Sequence, residues 1–186
     1  MVLKTLARDS RYHGAVRFGS LAILALGLTL WSIGGADSSP APAVKIAVFE
    51  FEFEDLSPAA SLLHKTTNRT ATMDKVSSEA RRQLAESGRY SVIDASNVDA
   101  QAVTSKSLRN CDGCEAALAR QLGADQSLIG VVKSVTQTDY YVAIQIRDAR
   151  TGKLIDQQEA NFAGGEEGWP SGVRMLIKHQ ILVSPN

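Results

Sequence analysis

VKIAVFEFEF, residues 44–53, is the stretch on which the fold turns. Val44 to Val48 is almost wholly apolar, as in a strand covered on both faces, and then Phe49, Phe51 and Phe53 alternate with Glu50, Glu52 and Glu54 at the period of two. The alternation predicts one continuous strand, with its Phe row inward and its Glu row facing water or a partner. With Asp55, the Glu row makes the one dense acidic cluster of the chain. Four carboxylates together are the chemistry of a hard-cation site, but alternate strand residues line up without converging, and no Asp/Asn/Gly calcium loop follows. The reading is a solvated strand edge, with Glu50, Glu52, Glu54 and Asp55 as a candidate interaction surface and no metal.

Upstream, residues 21–33 (LAILALGLTLWSI) follow Lys4, Arg8, Arg11 and Arg17 and precede Gly34-Gly35-Ala36, the pattern of an export signal with a small-residue cleavage site. Residues 18–35 are also 18 positions without a charge, long enough to stay as one membrane-crossing helix. In both cases the positive residues stand before the apolar run, which leaves the leader's start in the cytoplasm and the rest of the chain outside. Residues 1–36 are therefore expected to be a signal peptide or membrane anchor, residues 37–43, built of Ser, Pro and Ala after Asp37, a linker, and 44–183 a single periplasmic domain. Without the leader's four basic residues and Asp9, 16 basic groups face 19 acidic ones, a net charge of −3. That balance argues against a nucleic-acid partner, whose binders cluster Lys and Arg; Arg81-Arg82 reads as a solvated helix face. The membrane enters only through the leader.

Residues 56–72 are polar and irregular, a surface loop of a length that often binds something. His64 stands alone in it with no spaced second ligand, which makes it a surface residue and a member of the candidate interaction surface. Around Asp74 the pattern turns helical: Met73, Val76, Ala80 and Leu84 recur at helical spacing, and Ser87-Gly88 marks the stop. A short strand over 90–93 and a short helix over 96–103 follow.

Cys111-Asp112-Gly113-Cys114 holds the only cysteines. Asp112 followed three residues later by Glu115 has the form of a capping box, which predicts a helix that starts here, ends at Gly123 and carries Cys114 in its first turn, with Cys111 just outside. A helix N-terminus lowers a thiol's pKa, and redox enzymes place such pairs there. Against this, paired cysteines of an exported chain are usually oxidised, and no strand leads into the motif. A local disulfide that staples loop to helix and a redox-active pair are the two readings. Zinc needs two more ligands, for which His13, His64 and His179 offer no partner motif, and Glu115 stands where covalent haem attachment requires His.

Residues 126–136, 140–148 and 154–162 read as three strands of a meander, the last two joined by a tight hairpin at Gly152. Tyr140, Val142, Ile144 and Ile146 fall on one face, Tyr141, Ala143, Gln145 and Arg147 on the other. Trp169, Val173, Leu176, Ile177 and Ile181 mark an amphipathic last helix with Pro170 in its first turn. No nucleophile elbow, zinc-protease helix, phosphate-binding glycine motif or kinase signature occurs. This order of elements predicts an α/β (α+β) domain: a mixed β-sheet with helices packed on it, closing with an antiparallel meander and a final helix.

Residues 45–51 (KIAVFEF), 88–94 (GRYSVID), 122–125 (LGAD) with Gly130, and 147–152 (RDARTG) together resemble a family of exported proteobacterial proteins of unknown function, over roughly residues 44–182. The Cys-x-x-Cys before the Leu-Gly-Ala-Asp helix and the late Trp helix recur in that family. More distantly, the element order is similar to the N-terminal domain of the translocation protein TolB and to the periplasmic domain of the curli-secretion lipoprotein. The resemblance implies an αβ module that docks other envelope proteins, with no catalytic residues to carry over. This chain lacks the lipid-attachment cysteine of the one relative and the β-propeller of the other, so neither specific task transfers. The expectation is a non-enzymatic periplasmic protein-interaction module of the bacterial envelope, without cofactor. It binds an envelope protein or peptide through a sheet edge or the 56–72 loop, and homo-oligomer formation is left open. The alternative is a thiol-disulfide redox protein using Cys111 and Cys114.

Overall fold

In the computed structural model, which describes residues 42–58, 69–95, 98 and 107–184, the 44–53 stretch forms two strands and not one: β1 (Val44–Val48) and β2 (Glu52–Asp55). Both run parallel to β4 (Gln126–Ser134), with Val48 opposite Leu128 and Glu52 opposite Val131, so one extra residue is taken up between them. An inserted residue reverses the period-two alternation. Phe49 therefore packs on one face of the sheet with Ala47, whereas Phe51 and Phe53 pack on the other with Ile46 and Val48. The single inward Phe row expected from the alternation is corrected accordingly, and the Glu row is split with it.

The irregularity is held by the helix α1 (Thr70–Glu86). Phe51 N–H donates to Ser77 Oγ (2.9 Å), and Arg81, one turn further on, donates to the Val48 carbonyl (3.2 Å). Backbone groups at the bulge thus find partners on the helix although they are buried, as buried main-chain groups must. Gly130 of β4 lies against the same point: a Cβ there would sit 2.1 Å from Phe51 Cε1, so the Phe51 ring fills the space a side chain would need.

The sheet runs β3 (Tyr90–Asp94), β1, β4, β5 (Asp139–Asp148), β6 (Leu154–Ala163), with β2 beside β4 in the line of β1. β3, β1 and β4 are parallel; β4, β5 and β6 form the antiparallel meander. The fold is the mixed α+β arrangement anticipated, with Tyr140, Val142, Ile144 and Ile146 all buried on one face.

α1 and α3 (Trp169–Leu176, continued by a wide turn over Ile177–Ile181) cover that face. The widening is visible in Leu182 N–H, which reaches back five residues to the Ile177 carbonyl (2.9 Å). α1 buries Met73, Val76, Ala80 and Leu84 as their spacing predicts, but it begins at Thr70, earlier than the pattern around Asp74 suggests. Its first turn is fixed by partners remote in sequence. Arg69 lies 4.3 Å over the Phe53 ring and pairs with Glu166 (3.2 Å), while Thr72 Oγ1 donates to Glu166 Oε1 (2.6 Å). Trp169 stacks on Phe53, ring centroids 5.1 Å apart, and anchors α3.

Among the described residues, the opposite face carries α2 (Cys114–Gln121), the tight turn Leu108–Asn110 and Val98, packed on Ala47, Phe49 and Ile129. An eight-residue helix spans too little of the sheet to cover β5 and β6 as well. Tyr141, Ala143 and Gln145 are left half-exposed there. The leader, His64 and nearly all of the helix expected over 96–103 lie outside the described residues. Among the described residues no helix is long and apolar enough to cross a membrane.

Two substitutions test the bulge. Ser77→Ala leaves the Phe51 N–H without its acceptor and is expected to cost about 2 kcal/mol; Gly130→Ala is expected to cost about 1–3 kcal/mol by overpacking. Urea unfolding measures both, as a lower midpoint at unchanged slope, and Phe51→Leu in the Gly130→Ala background is expected to recover part of the loss.

Candidate functional site

The corner ahead of α2 collects the groups with chemistry. Leu108, 4% exposed, anchors the turn into the core, and Cys111 follows it. Asp112 (φ 51°) and Gly113 (φ 96°) then reverse the chain through the left-handed region, and α2 starts at Cys114. Gly113 is the capping residue and no side-chain cap forms, so the capping box expected of Asp112 and Glu115 is not made. Glu115 turns inward instead. It is 1% exposed, and its Oε1 lies 3.0 Å from Arg147 Nε on β5. Arg147 also donates to the Gly152 carbonyl (3.0 Å) in the β5–β6 hairpin. Directly across from Arg147 in the ladder is Ser127, fully buried, whose Oγ has no hydrogen-bond partner among the described residues.

Cys111 and Cys114 are bonded to each other, their Cα atoms 5.5 Å apart, and both are half-buried. Cys111 Sγ lies 3.0 Å from the Leu108 carbonyl oxygen and 3.7 Å from Glu115 Oε2. The two sulfurs and the Glu115 carboxylate fall within 4.8 Å of one another. With the sulfurs joined, neither is a thiolate, and such a trio offers a metal the carboxylate alone.

The acidic strand does not stay one cluster. Glu50, on the α1 side, takes a charge-assisted bond from Arg81 (2.6 Å), which also lies 3.8 Å from Asp94. Arg81 is thus drawn into the bulge, and of the Arg pair only Arg82 keeps to a solvated face, bridging Glu79 and Glu86. Glu52 and Glu54 stand on the α2 side, where Arg109 reaches both (3.2 and 2.7 Å), Lys133 approaches Glu54 (3.5 Å) and Ser107 Oγ donates to Glu52. Asp55 accepts the Ser57 N–H (2.9 Å), and hydrogen bonds from the Ser57 side chain and backbone hold it below the usual carboxylate range.

Arg109 joins the two features the sequence singled out, since it stands two residues before Cys111 and pairs with the acidic strand. Beside it opens a cavity of about 240 Å³ on the α2 side of the sheet, lined by Glu52, Arg109, Ile129, Val131, Ala143 and Gln157. Further along, Tyr141 donates to Glu159 of β6; burial first, and then the carboxylate, push its phenol up to about 12. Sequence reasoning missed Glu115, Arg147 and Arg109 as site residues. The available signal was Arg147 itself, a charge on an alternating strand whose neighbours on that face are Ala143 and Gln145.

A family model, DUF3280, described as "Protein of unknown function (DUF2380)", matches residues 44–181. No curated protein matches the chain. Among solved structures, the chain is similar to the LpoB C-terminal domain from Salmonella enterica (TM-score 0.44, 16% identity, 68% of this chain and 87% of that one). It is similar to the PelC dodecamer from Paraburkholderia phytofirmans (TM-score 0.49, 18% identity, 78% and 91%). The expected likeness to TolB is found with the protein from Acinetobacter baumannii (TM-score 0.45, 16% identity, 77% of this chain and 29% of that one).

Arg147→Ala leaves the buried Glu115 carboxylate unpaired and is expected to destabilise the protein by about 3 kcal/mol. Adding Glu115→Gln is expected to recover part of that loss, and a double-mutant cycle in urea reads the coupling.

Proposed function

This chain belongs to the DUF3280 family, and we propose that it is a periplasmic protein-interaction module of the bacterial envelope, acting by binding an envelope protein or peptide along the edge of β6. The observation that carries the reading is β6 itself. It is ten residues long, ends the sheet, pairs only with β5 among the described residues, and buries none of its side chains fully. A strand in that position presents one side of its main chain as an unfinished ladder. An extended segment of another chain completes it, with the main chain supplying affinity and alternate side chains supplying choice.

The side chains narrow the fit. Leu154 and Ile155, at one end of the edge, are 49% and 41% exposed, and Asp156 and Glu159 lie further along. A segment that presents apolar groups to the first pair and basic groups to the second complements both. The cavity beside Arg109 and Gln157 continues from this edge and offers room for one of its side chains. The periplasmic reading is supported by the basic, apolar and small-residue pattern of residues 1–36 and by the joined cysteines, which suit an oxidising environment. Binding of this kind needs no cofactor or metal.

A photo-crosslinking residue at Gln157, in growing cells, is expected to capture a discrete envelope protein. Replacing Leu154 and Ile155 by Lys is expected to cut that adduct by about tenfold or more while leaving thermal stability nearly unchanged, because both side chains are already solvated. Capture of cytosolic proteins only, or an adduct indifferent to the Lys pair, would remove β6 from the account.

A further inference from the structure

We infer that the Cys111–Cys114 disulfide is exchange-active, with Cys114 as the sulfur that bonds to a thiol partner, Cys111 as the resolving sulfur, and Glu115 as the group that carries the proton of Cys111. The helix decides the order. α2 begins at Cys114 with Gly113 as its cap, so the second cysteine sits in the first turn among free backbone N–H groups, where a thiolate is favoured. Cys111 lies outside the helix and faces two acceptors, the Leu108 carbonyl at 3.0 Å and Glu115 Oε2 at 3.7 Å. Acceptors and negative charge favour the protonated thiol. Glu115 stands within 4.8 Å of both sulfurs, so the helix start at Cys114 and the Leu108 carbonyl at Cys111 are what make them unlike, and they place the negative charge on Cys114.

Glu115 is the second, independent observation. It is 1% exposed, makes no cap, and is brought within reach of Cys111 while Arg147 holds its other oxygen at 3.0 Å. An ion pair between a buried carboxylate and a half-buried guanidinium is a poor device for stability, because the cost of desolvating Glu115 offsets the attraction. Nor is the disulfide well placed as a staple: it joins residues three apart, and a ring so short restrains the unfolded chain less than a longer one would. Both cysteines are half-buried and neither is sealed in the core.

The exchange balances with a dithiol as co-reactant. One partner thiolate attacks Cys114 Sγ; the Cys111–Cys114 bond breaks, a mixed disulfide forms at Cys114, and Cys111 leaves as a thiolate that takes up, through Glu115, the proton the partner gave up. The partner's second thiolate then attacks its own sulfur in the mixed disulfide and expels Cys114 as a thiolate, its proton passing to solvent. Two electrons move from the dithiol to the cysteine pair, and the partner leaves as a disulfide. In the reverse direction Cys114 attacks a substrate disulfide, and Cys111 gives its proton to Glu115 before closing on Cys114. This activity is separate from binding along β6, and the loss of either leaves the other standing.

The test uses the full chain with glutathione disulfide as the probe. In Cys111→Ser the remaining Cys114 is expected to form the mixed disulfide at neutral pH about tenfold faster than Cys111 does in Cys114→Ser. In the reduced chain with both cysteines, closure after glutathionylation is expected to slow about tenfold or more with Glu115→Gln at about pH 7. It should recover near about pH 10, where Cys111 ionises unaided. Glu115→Asp, which keeps a carboxylate, is expected to restore part of the neutral rate. A more reactive Cys111, a Glu115→Gln defect that is the same at every pH, or a native disulfide that millimolar dithiothreitol leaves intact overturns the inference.

Discussion

The hydrogen bond from Phe51 N–H to Ser77 Oγ is the contact on which the arrangement of the sheet depends. It fixes one extra residue between β1 and β2, and that residue decides which side chains each face receives. Without that residue, Phe51 and Phe53 would follow Phe49 to the α2 face, where Phe49, Leu108 and Ile129 already pack among alanines. Displaced to the other face, Phe53 instead receives Trp169 and Arg69, the contacts that dock α3 and start α1. Gly130 is the complement of the same choice, since its missing side chain is the room Phe51 needs.

The same shift distributes the charges. Glu50 stays on the α1 side with Arg81, and Glu52 and Glu54 move to the α2 side, where Arg109 meets them. Arg109 then ties the acidic strand to the segment that carries Cys111. From there the polar line continues through Glu115 to Arg147 and the β5–β6 hairpin. Among the described residues the sheet is thus two-sided in character: one face is sealed by two helices, and the other holds a short helix, a disulfide, the Glu115–Arg147 pair and a half-exposed stretch of sheet that leads to β6.

Much of the fold is legible from local pattern. The alternation over 140–148, the helical spacing of Met73, Val76, Ala80 and Leu84, the hairpin at Gly152 and the last helix from Trp169 all agree with the structure. These signals arise between residues two to four apart, and a neighbour at that distance is fixed once the element forms. The candidate site is legible in part. Cys111 and Cys114 lie where the motif places them relative to α2, but Glu115 reads as half of a cap, because Ser/Thr/Asp followed three residues later by Glu is the usual sign of one. A half-buried Arg147 on a strand more than thirty residues further on draws it inward, and no local rule records that pull.

The amino-acid order alone settles what can be counted along one segment: strand or helix over most of the described chain, the hairpin at Gly152, which cysteine opens the helix, and the basic-then-apolar order of residues 1–36. The face each Phe and Glu occupies and the partner of each charge on the sheet were settled only when remote segments met. The bulge shows why. Whether residues 44–53 form one strand or two depends on Gly130 and Ser77, and the register between stretches so far apart is a property of packing, which the spacing within either one does not contain.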